Sequence, residues 1–292
     1  MGNSFITRGI TADGSARLIY ADTTAIVQKA QELHNTSKTM TAALGRILTG
    51  ASIMGSLQKD KTDSLTLMFK GDGPAGTVLC VSDYKGNVKG YAQDHTVELP
   101  PNAQGKLDVS GAIGKTGTMY VLRDISADGE KREPYTAMAP IISGEIAEDI
   151  TNFYVQSEQI PTVCALGVRC NTENKCTAAG GILLQLLPGA DEAIIAQLES
   201  NLAMFTSISA IIAGENPVQT AFDTIFKGIE YEMFDEFDID YVCDCSRDRY
   251  LTALVGLPKE DREELRQSKE KIETVCHFCE TKYHFDPDEI PE

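Results

Sequence analysis

Residues 35–58, NTSKTMTAALGRILTGASIMGSLQ, decide how the first part of the chain is read. Met40, Ala43, Leu44, Ile47, Leu48, Ala51 and Met54 recur at the three- and four-residue spacing of one helical face, so the stretch is predicted as one amphipathic helix. Gly45, Gly50 and Gly55 would each weaken such a helix by up to about 1 kcal/mol relative to alanine. Close packing against a neighbour is the physical reason to carry them.

Around this helix the period changes to two. Ser64–Lys70 alternates Leu65, Leu67 and Phe69, Thr77–Val81 follows a Gly71-Asp72-Gly73-Pro74 turn, and Lys85-Gly86-Asn87 reads as a hairpin tip. Further strands are expected at Val88–Tyr91, Thr118–Leu122 and Pro161–Arg169. Short strands with one long helix inserted predict the α+β class, with a mostly antiparallel, β-rich domain ending near Leu187-Pro188-Gly189.

Two helices should follow. Asp191 can cap the first, which carries Ile194, Ile195, Leu198, Leu202 and Phe205; Gly214-Glu215-Asn216-Pro217 ends it and starts the second. The second is predicted to carry Phe222, Ile225, Phe226, Ile229, Met233 and Phe237 on one stripe. A stripe of this kind is ordinarily core. The competing reading makes Phe222, Ile225, Phe226, Ile229 and Met233 a client surface that is exposed conditionally. From Glu230 to Asp240 six acidic residues and no basic one interleave with Tyr231, Phe234 and Phe237. Like charges four apart weaken a helix, so the segment should melt readily once its docking partner is lost.

Charge is unevenly distributed. The 292 residues carry a net −17, of which residues 230–292, with 19 acidic and 8 basic side chains, hold −11. That balance disfavours nucleic acid and anionic lipid as partners. An apolar content of 42% with 24% charged residues is that of an ordinary folded protein. No stretch approaches the roughly 18 uninterrupted apolar residues of a membrane helix. The first residues lack a basic region followed by an apolar core, so a cytoplasmic location is expected. Thiols stay reduced there, so the eight cysteines are expected to be metal ligands, redox sensors or buried small apolar residues rather than a structural disulfide framework.

Four of them form the strongest chemical signal: Cys243-Asp244-Cys245, thirty residues, then Cys276-His277-Phe278-Cys279. A Cys-x-x-Cys turn offers two thiolates to one ion and a second pair completes a tetrahedron, which predicts one zinc per chain held by Cys243, Cys245, Cys276 and Cys279. Four thiolates leave no open position, so such a site is structural or regulatory and does not activate water. Stapling and sensing are compatible, because zinc-held thiolates meet an oxidant directly and their oxidation destroys the ligand set. Thr281-Lys282-Tyr283-His284-Phe285 alternates like the return strand of a zinc ribbon, and His277 and His284 read as turn and packing residues. Two rivals share these cysteines: a zinc-ribbon nucleic-acid binder, which should border the site with Lys and Arg, and a thiol-disulfide oxidoreductase, which should place Cys276 and Cys279 at a helix N-terminus. No catalytic triad or nucleotide fingerprint is found, and a non-enzymatic role is expected.

Taken together, the chain resembles the redox-regulated holdase chaperones of the heat shock protein 33, or 33 kDa chaperonin, family over nearly its full length. The carriers are Thr41-Ala42-Ala43-Leu44-Gly45-Arg46, Gly71-Asp72-Gly73-Pro74, Gly105-Lys106-Leu107-Asp108, Glu133-Pro134-Tyr135, Val155-Gln156-Ser157-Glu158-Gln159, Gly180-Gly181, Gln185-Leu186-Leu187-Pro188-Gly189 and the four tail cysteines. The resemblance implies a β-rich core domain (1–189), a helical linker (190–237) and a redox-switch zinc domain (238–292). It also implies disulfides Cys243–Cys245 and Cys276–Cys279 on oxidation, loss of zinc, an unfolded linker, ATP-independent binding of unfolding or oxidatively damaged proteins, and an active homodimer. One departure is Cys164, Cys170 and Cys176, where relatives usually carry small or apolar residues. Cys170 and Cys176 flank the turn Asn171-Thr172-Glu173-Asn174 and could face each other across a hairpin, but cytosolic thiols rarely pair, and the two are expected to be unpaired small residues.

Overall fold

The structure is a computed structural model that describes residues 3–290 apart from 125, 128, 129, 132, 204, 206 and 269. The chain divides into two compact units, residues 1–241 and 242–292.

The first unit runs β1 (Ser4–Thr11), β2 (Ala16–Asp22), α1 (Thr24–His34), α2 (Lys38–Gly55), β3 (Ser64–Gly71), β4 (Thr77–Asp83), β5 (Val88–Ala92), α3 (Val109–Ile113) and β6 (Gly117–Asp124). A two-residue ribbon, β7 (Ser126–Ala127) and β8 (Glu130–Lys131), leads to β9 (Tyr135–Pro140), α4 (Ala147–Gln156), β10 (Thr162–Cys170) and β11 (Cys176–Leu186). Then come α5 (Glu192–Ala203), α6 (Ile208–Ile212), α7 (Pro217–Ile225), β12 (Tyr231–Met233) and β13 (Phe237–Ile239). The strands form two antiparallel sheets. One is ordered β5-β4-β3-β6-β9; in the other β10-β11-β2-β1 is completed by β12 and β13, both on the outer edge of β1.

Helix α2 forms where the spacing placed it, with Ser37 Oγ accepting the Met40 N–H at 3.1 Å as its cap. It is not amphipathic in the expected sense. Only Lys38 and Arg46 are part-exposed, because the helix is packed against strands of both sheets. Met40, Leu44, Ile47 and Leu48 share one core with Leu65, Leu67 and Phe69 of β3, Ile19 and Ala21 of β2 and Leu183 of β11. The glycines mark the tight approaches: a methyl on Gly50 would sit 2.6 Å from Ile150 Cδ1, and one on Gly45 would sit 2.9 Å from Val27 and Val168.

The opposite face of the six-stranded sheet is covered by α5–α7. Leu18 and Tyr20 of β2 with Ala178, Ile182 and Leu184 of β11 meet Leu198, Ile208, Ile212, Ala221, Phe222, Ile225, Phe226 and Ile229. Two expectations are corrected here. The stretch from Asp191 to Ala213 is two helices, α5 and α6, rather than one. The second predicted helix ends at Ile225 rather than running on to Phe237, and the acidic run forms strands. Gly228, in the left-handed region at φ +77°, turns the chain, and the free edge of β1 then supplies backbone partners: Thr11 faces Tyr231, Gly9 faces Met233, Ile6 faces Phe237 and Ser4 faces Ile239. An acidic stretch that weakens a helix gains these ladder bonds instead.

Tyr241 closes the unit. It bridges to Val88, its hydroxyl donates to Gly90 O at 2.8 Å, and Lys29 Nζ donates to its carbonyl at 2.8 Å. The second unit contains α8 (Arg247–Val255), α9 (Lys259–Gln267) and the hairpin β14 (Ile272–Val275) with β15 (Lys282–Phe285). Its buried apolar cluster is small, Leu254, Ile272, Phe285 and Ile290, with the Arg247 guanidinium 4.5 Å over the Phe285 ring. Among the described residues, no helix is long and apolar enough to cross a membrane.

Candidate metal centre

The four tail cysteines reach one point from two directions. Cys243 and Cys245 lie in the extended segment ahead of α8, whose first turn is capped by Ser246 Oγ accepting the Arg249 N–H. Cys276 and Cys279 lie in the β14–β15 turn, where Glu280 N–H donates to Cys276 O at 2.8 Å and Cys276 N–H donates to Thr281 O at 2.9 Å. Glu280 takes a left-handed conformation, φ +56°, to close that turn.

All four Sγ atoms lie within 4.8 Å of one another. Across the two segments, Cys243 and Cys276 approach to 3.7 Å and Cys245 and Cys279 to 3.4 Å. A tetrahedral ion with sulfur at about 2.3 Å requires sulfurs about 3.8 Å apart, so the cluster has the size of a closed four-sulfur shell. The donor set fits the metal that the spacing predicted. Hydroxyls surround it: Tyr283 Oη lies 3.1 Å from Cys245 Sγ, and Thr281 Oγ1 lies 3.1 Å from Cys279 Sγ. Tyr250 packs on Tyr283, ring centroids 5.1 Å apart.

The thiols are not equivalent. Burial pushes Cys243 and Cys245 up. Burial opposes ionisation at Cys276 too, but the Tyr250 hydroxyl and the backbone N–H groups of Phe278 and Cys279 outweigh it and bring this thiol down to about 7. Neither histidine of the tail belongs to the cluster, and His284 Nε2 faces the Glu273 carboxylate at 3.8 Å.

The other sequence candidates are distributed through the first unit. Phe222, Ile225, Phe226 and Ile229 are buried together against the sheet, whereas Met233 is 38% exposed on β12 and does not join them. Cys170 and Cys176 face each other across the β10–β11 hairpin as unbonded thiols. Sequence reasoning missed Tyr250 and Tyr283 as sulfur neighbours, because nothing in an aromatic residue's spacing points to a thiol. It also missed Asn201. This side chain is 1% exposed and donates to Ile225 O and Lys227 O, both at 2.9 Å, where α7 ends. A lone polar residue on the apolar face of α5 was the available signal.

Comparisons with known proteins agree over nearly the full length. The model of the family described as Hsp33 protein matches residues 4–286. Similar curated proteins include the 33 kDa chaperonin of Clostridioides difficile, 39% identical over 99% of this chain and 97% of the relative. That of Desulforamulus reducens is 37% identical over 98% and 95%. A crystal structure of the 33 kDa chaperonin (heat shock protein 33 homolog) of Thermotoga maritima is similar in fold, with a TM-score of 0.89 and 32% identity. It covers 99% of this chain and 96% of that one.

Proposed function

The chain belongs to the Hsp33 family of chaperones, and from that premise we propose that it is a redox-regulated holdase whose reduced form holds one zinc ion on Cys243, Cys245, Cys276 and Cys279. The observation that carries this reading is the convergence of four sulfurs, from segments thirty residues apart, within 4.8 Å. Zinc, when bound, keeps all four sulfurs deprotonated and ties the β14–β15 turn to the segment ahead of α8. With four buried apolar side chains in its cluster among the described residues, the module depends on that tie for its fold.

Oxidation removes the ligand set. In the pairing that the family implies, the thiolates of Cys243 and Cys245, and those of Cys276 and Cys279, each give two electrons to a peroxide and become a disulfide. Cys276 and Cys279 sit in the turn between two strands rather than in the first turn of a helix, which favours this reading over a thiol-disulfide oxidoreductase. The chain passes covalently from β13 through Tyr241 into Cys243, so a module that has lost its fold no longer restrains the end of the linker. Undocking of α5–α7 would then bare Phe222, Ile225, Phe226 and Ile229 together with the sheet face beneath them. That is an apolar, sequence-tolerant surface suited to unfolding or oxidatively damaged proteins.

The activity so proposed is binding without catalysis, in the cytoplasm, by a homodimer when oxidised, with neither nucleic acid nor membrane as partner. Zinc content before and after peroxide, measured beside suppression of client aggregation, tests it. One equivalent should fall towards none as holdase activity rises. Activity that rises with zinc retained would refute the reading.

A further inference from the structure

The hairpin β10–β11 carries a second dithiol, far in sequence from the zinc cysteines. Leu186 N–H donates to Pro161 O at 2.8 Å, while Cys164 N–H turns outward to Thr151 Oγ1 at 3.0 Å. The register shifts between Arg169, which faces Ala178, and Cys170, which faces Cys176. The extra residue, Thr177, is on β11, so counting by twos still holds along β10, and its even-numbered residues, Cys170 among them, point their backbone groups away from β11. On the other strand, Cys176 N–H donates to Gln31 Oε1 at 3.0 Å and its carbonyl accepts from Gln28 Nε2 at 2.8 Å. The next rung towards the tip is bonded, Asn171 N–H to Lys175 O at 2.9 Å.

Cys170 and Cys176, which are register partners, therefore form a non-hydrogen-bonded antiparallel pair. In such pairs the Cα atoms approach to about 4.5 Å and the side chains stand on one face, within the span a disulfide bridges. The face is the same by a second route: Cys176 packs with Val27, Ala179 and Val168, and Val168 lies two residues before Cys170 on its strand. We propose that Cys170 and Cys176 are an oxidant-responsive pair that closes a cross-strand disulfide under hydrogen peroxide, independently of the metal centre.

The chemistry balances. Cys170, the more accessible of the two, attacks peroxide as its thiolate; a sulfur–oxygen bond forms, the peroxide O–O bond breaks, and the leaving hydroxide takes a proton to become water. Cys176, 2% exposed, then attacks the Cys170 sulfenic sulfur. The S–S bond forms as the S–O bond breaks, and the departing hydroxide with the Cys176 proton becomes a second water. Two thiols and one peroxide give one disulfide and two waters. Burial pushes Cys170 up to about 11 and Cys176 up to about 12, so this pair should react later than metal-held thiolates. The chain would thus register a first and a heavier oxidative load separately.

Peptide mapping of the full chain tests this. Trypsin cuts after Arg169 and Lys175, so a Cys170–Cys176 disulfide joins two peptides that otherwise separate. After native peroxide treatment, alkylation of remaining thiols and digestion without reductant, the linked pair should appear two hydrogens lighter than its free members and vanish with reductant. In Cys176→Ser the same treatment should leave Cys170 as a sulfenic acid that dimedone captures. Recovery of Cys170 and Cys176 as alkylated thiols after the four tail cysteines are consumed would overturn the proposal. So would Cys170 linked to Cys164, or over-oxidised while Cys176 stays free.

Discussion

The two faces of the six-stranded sheet are covered in opposite ways. On one, Ile19, Ala21 and Leu183 meet α2, which a second sheet encloses from behind. On the other, Leu18, Tyr20, Ile182 and Leu184 meet α5–α7, and of the twelve residues of α5 only Leu198 and Asn201 are buried. A helix enclosed on all sides cannot leave without dismantling two sheets, whereas a strap buried on one side can leave as a unit. The difference locates the part of the fold that can move without dismantling the rest.

The largest effect expected is removal of metal. Zinc binding to small thiolate modules supplies on the order of 10–16 kcal/mol of folding free energy. Chelation, or Cys276→Ser, should reduce bound zinc to a small fraction of an equivalent and make residues 243–285 the first site of proteolysis. The linker should be cut next, with residues 38–55 still protected. Simultaneous loss of protection at 38–55 would break the comparison, because the two covers would then be one cooperative unit.

Two truncations sharpen it. Phe226 is 1% exposed and Ile47 is fully buried, so Phe226→Ala should cost about 3–5 kcal/mol and Ile47→Ala about 2–5 kcal/mol. Similar energies should have different consequences. Ile47→Ala should lower the global unfolding midpoint with the linker still docked, whereas Phe226→Ala should open the linker alone and suppress client aggregation while reduced and zinc-loaded. A protease-sensitive but inactive Phe226→Ala protein would show that linker release is not the switch.

How much of this was legible follows the range of the interactions. The position of α2, the β4–β5 hairpin and the four-cysteine cluster are written in local spacing, and local spacing survived folding. The enclosure of α2 was not, because its second wall comes from strands outside the window that fixed its period. The strands at Tyr231–Met233 and Phe237–Ile239 replace the helix that their spacing predicts because their partner, β1, lies 220 residues or more away. Their period-two alternation is too short to outvote a continuous aromatic stripe. Asn201 stands out locally as a polar residue on an apolar face, but its role does not, because its acceptors are carbonyls at the end of another helix.

A moderate effect is expected there. Asn201→Ala leaves Ile225 O and Lys227 O without the amide that now serves both, a loss of about 1–3 kcal/mol for buried groups. Amide exchange in α7 should quicken with little change in α2. Equal quickening in both would mean that Asn201 supports the whole unit rather than the strap.

The smallest effect tests the rim of the strap. Asp223 Oδ1 accepts from the Tyr231 hydroxyl at 2.7 Å and from Gln219 Nε2 at 2.9 Å, and Tyr231 stacks on Phe222 with centroids 5.7 Å apart. These donors, the tyrosine hydroxyl first, hold the Asp223 carboxyl below its usual range. A depressed folded-state value means that the unfolded chain binds the proton more readily. The contribution is therefore complete above the unfolded carboxyl's pKa, about 3.9, and disappears as pH falls through the lower folded value. Because the group is at the surface, water and salt screen it, and about 0.5 kcal/mol is the appropriate size. Asp223→Asn should accordingly loosen α7 slightly at pH 7, measured by amide exchange, and the gap between variant and parent should close below about pH 4. Comparing the two proteins at each pH removes the shared titration of the other carboxylates. A gap that persists at low pH would assign the effect to packing of Tyr231 against Phe222 rather than to the charge, and the docking of the strap would then be apolar to its rim.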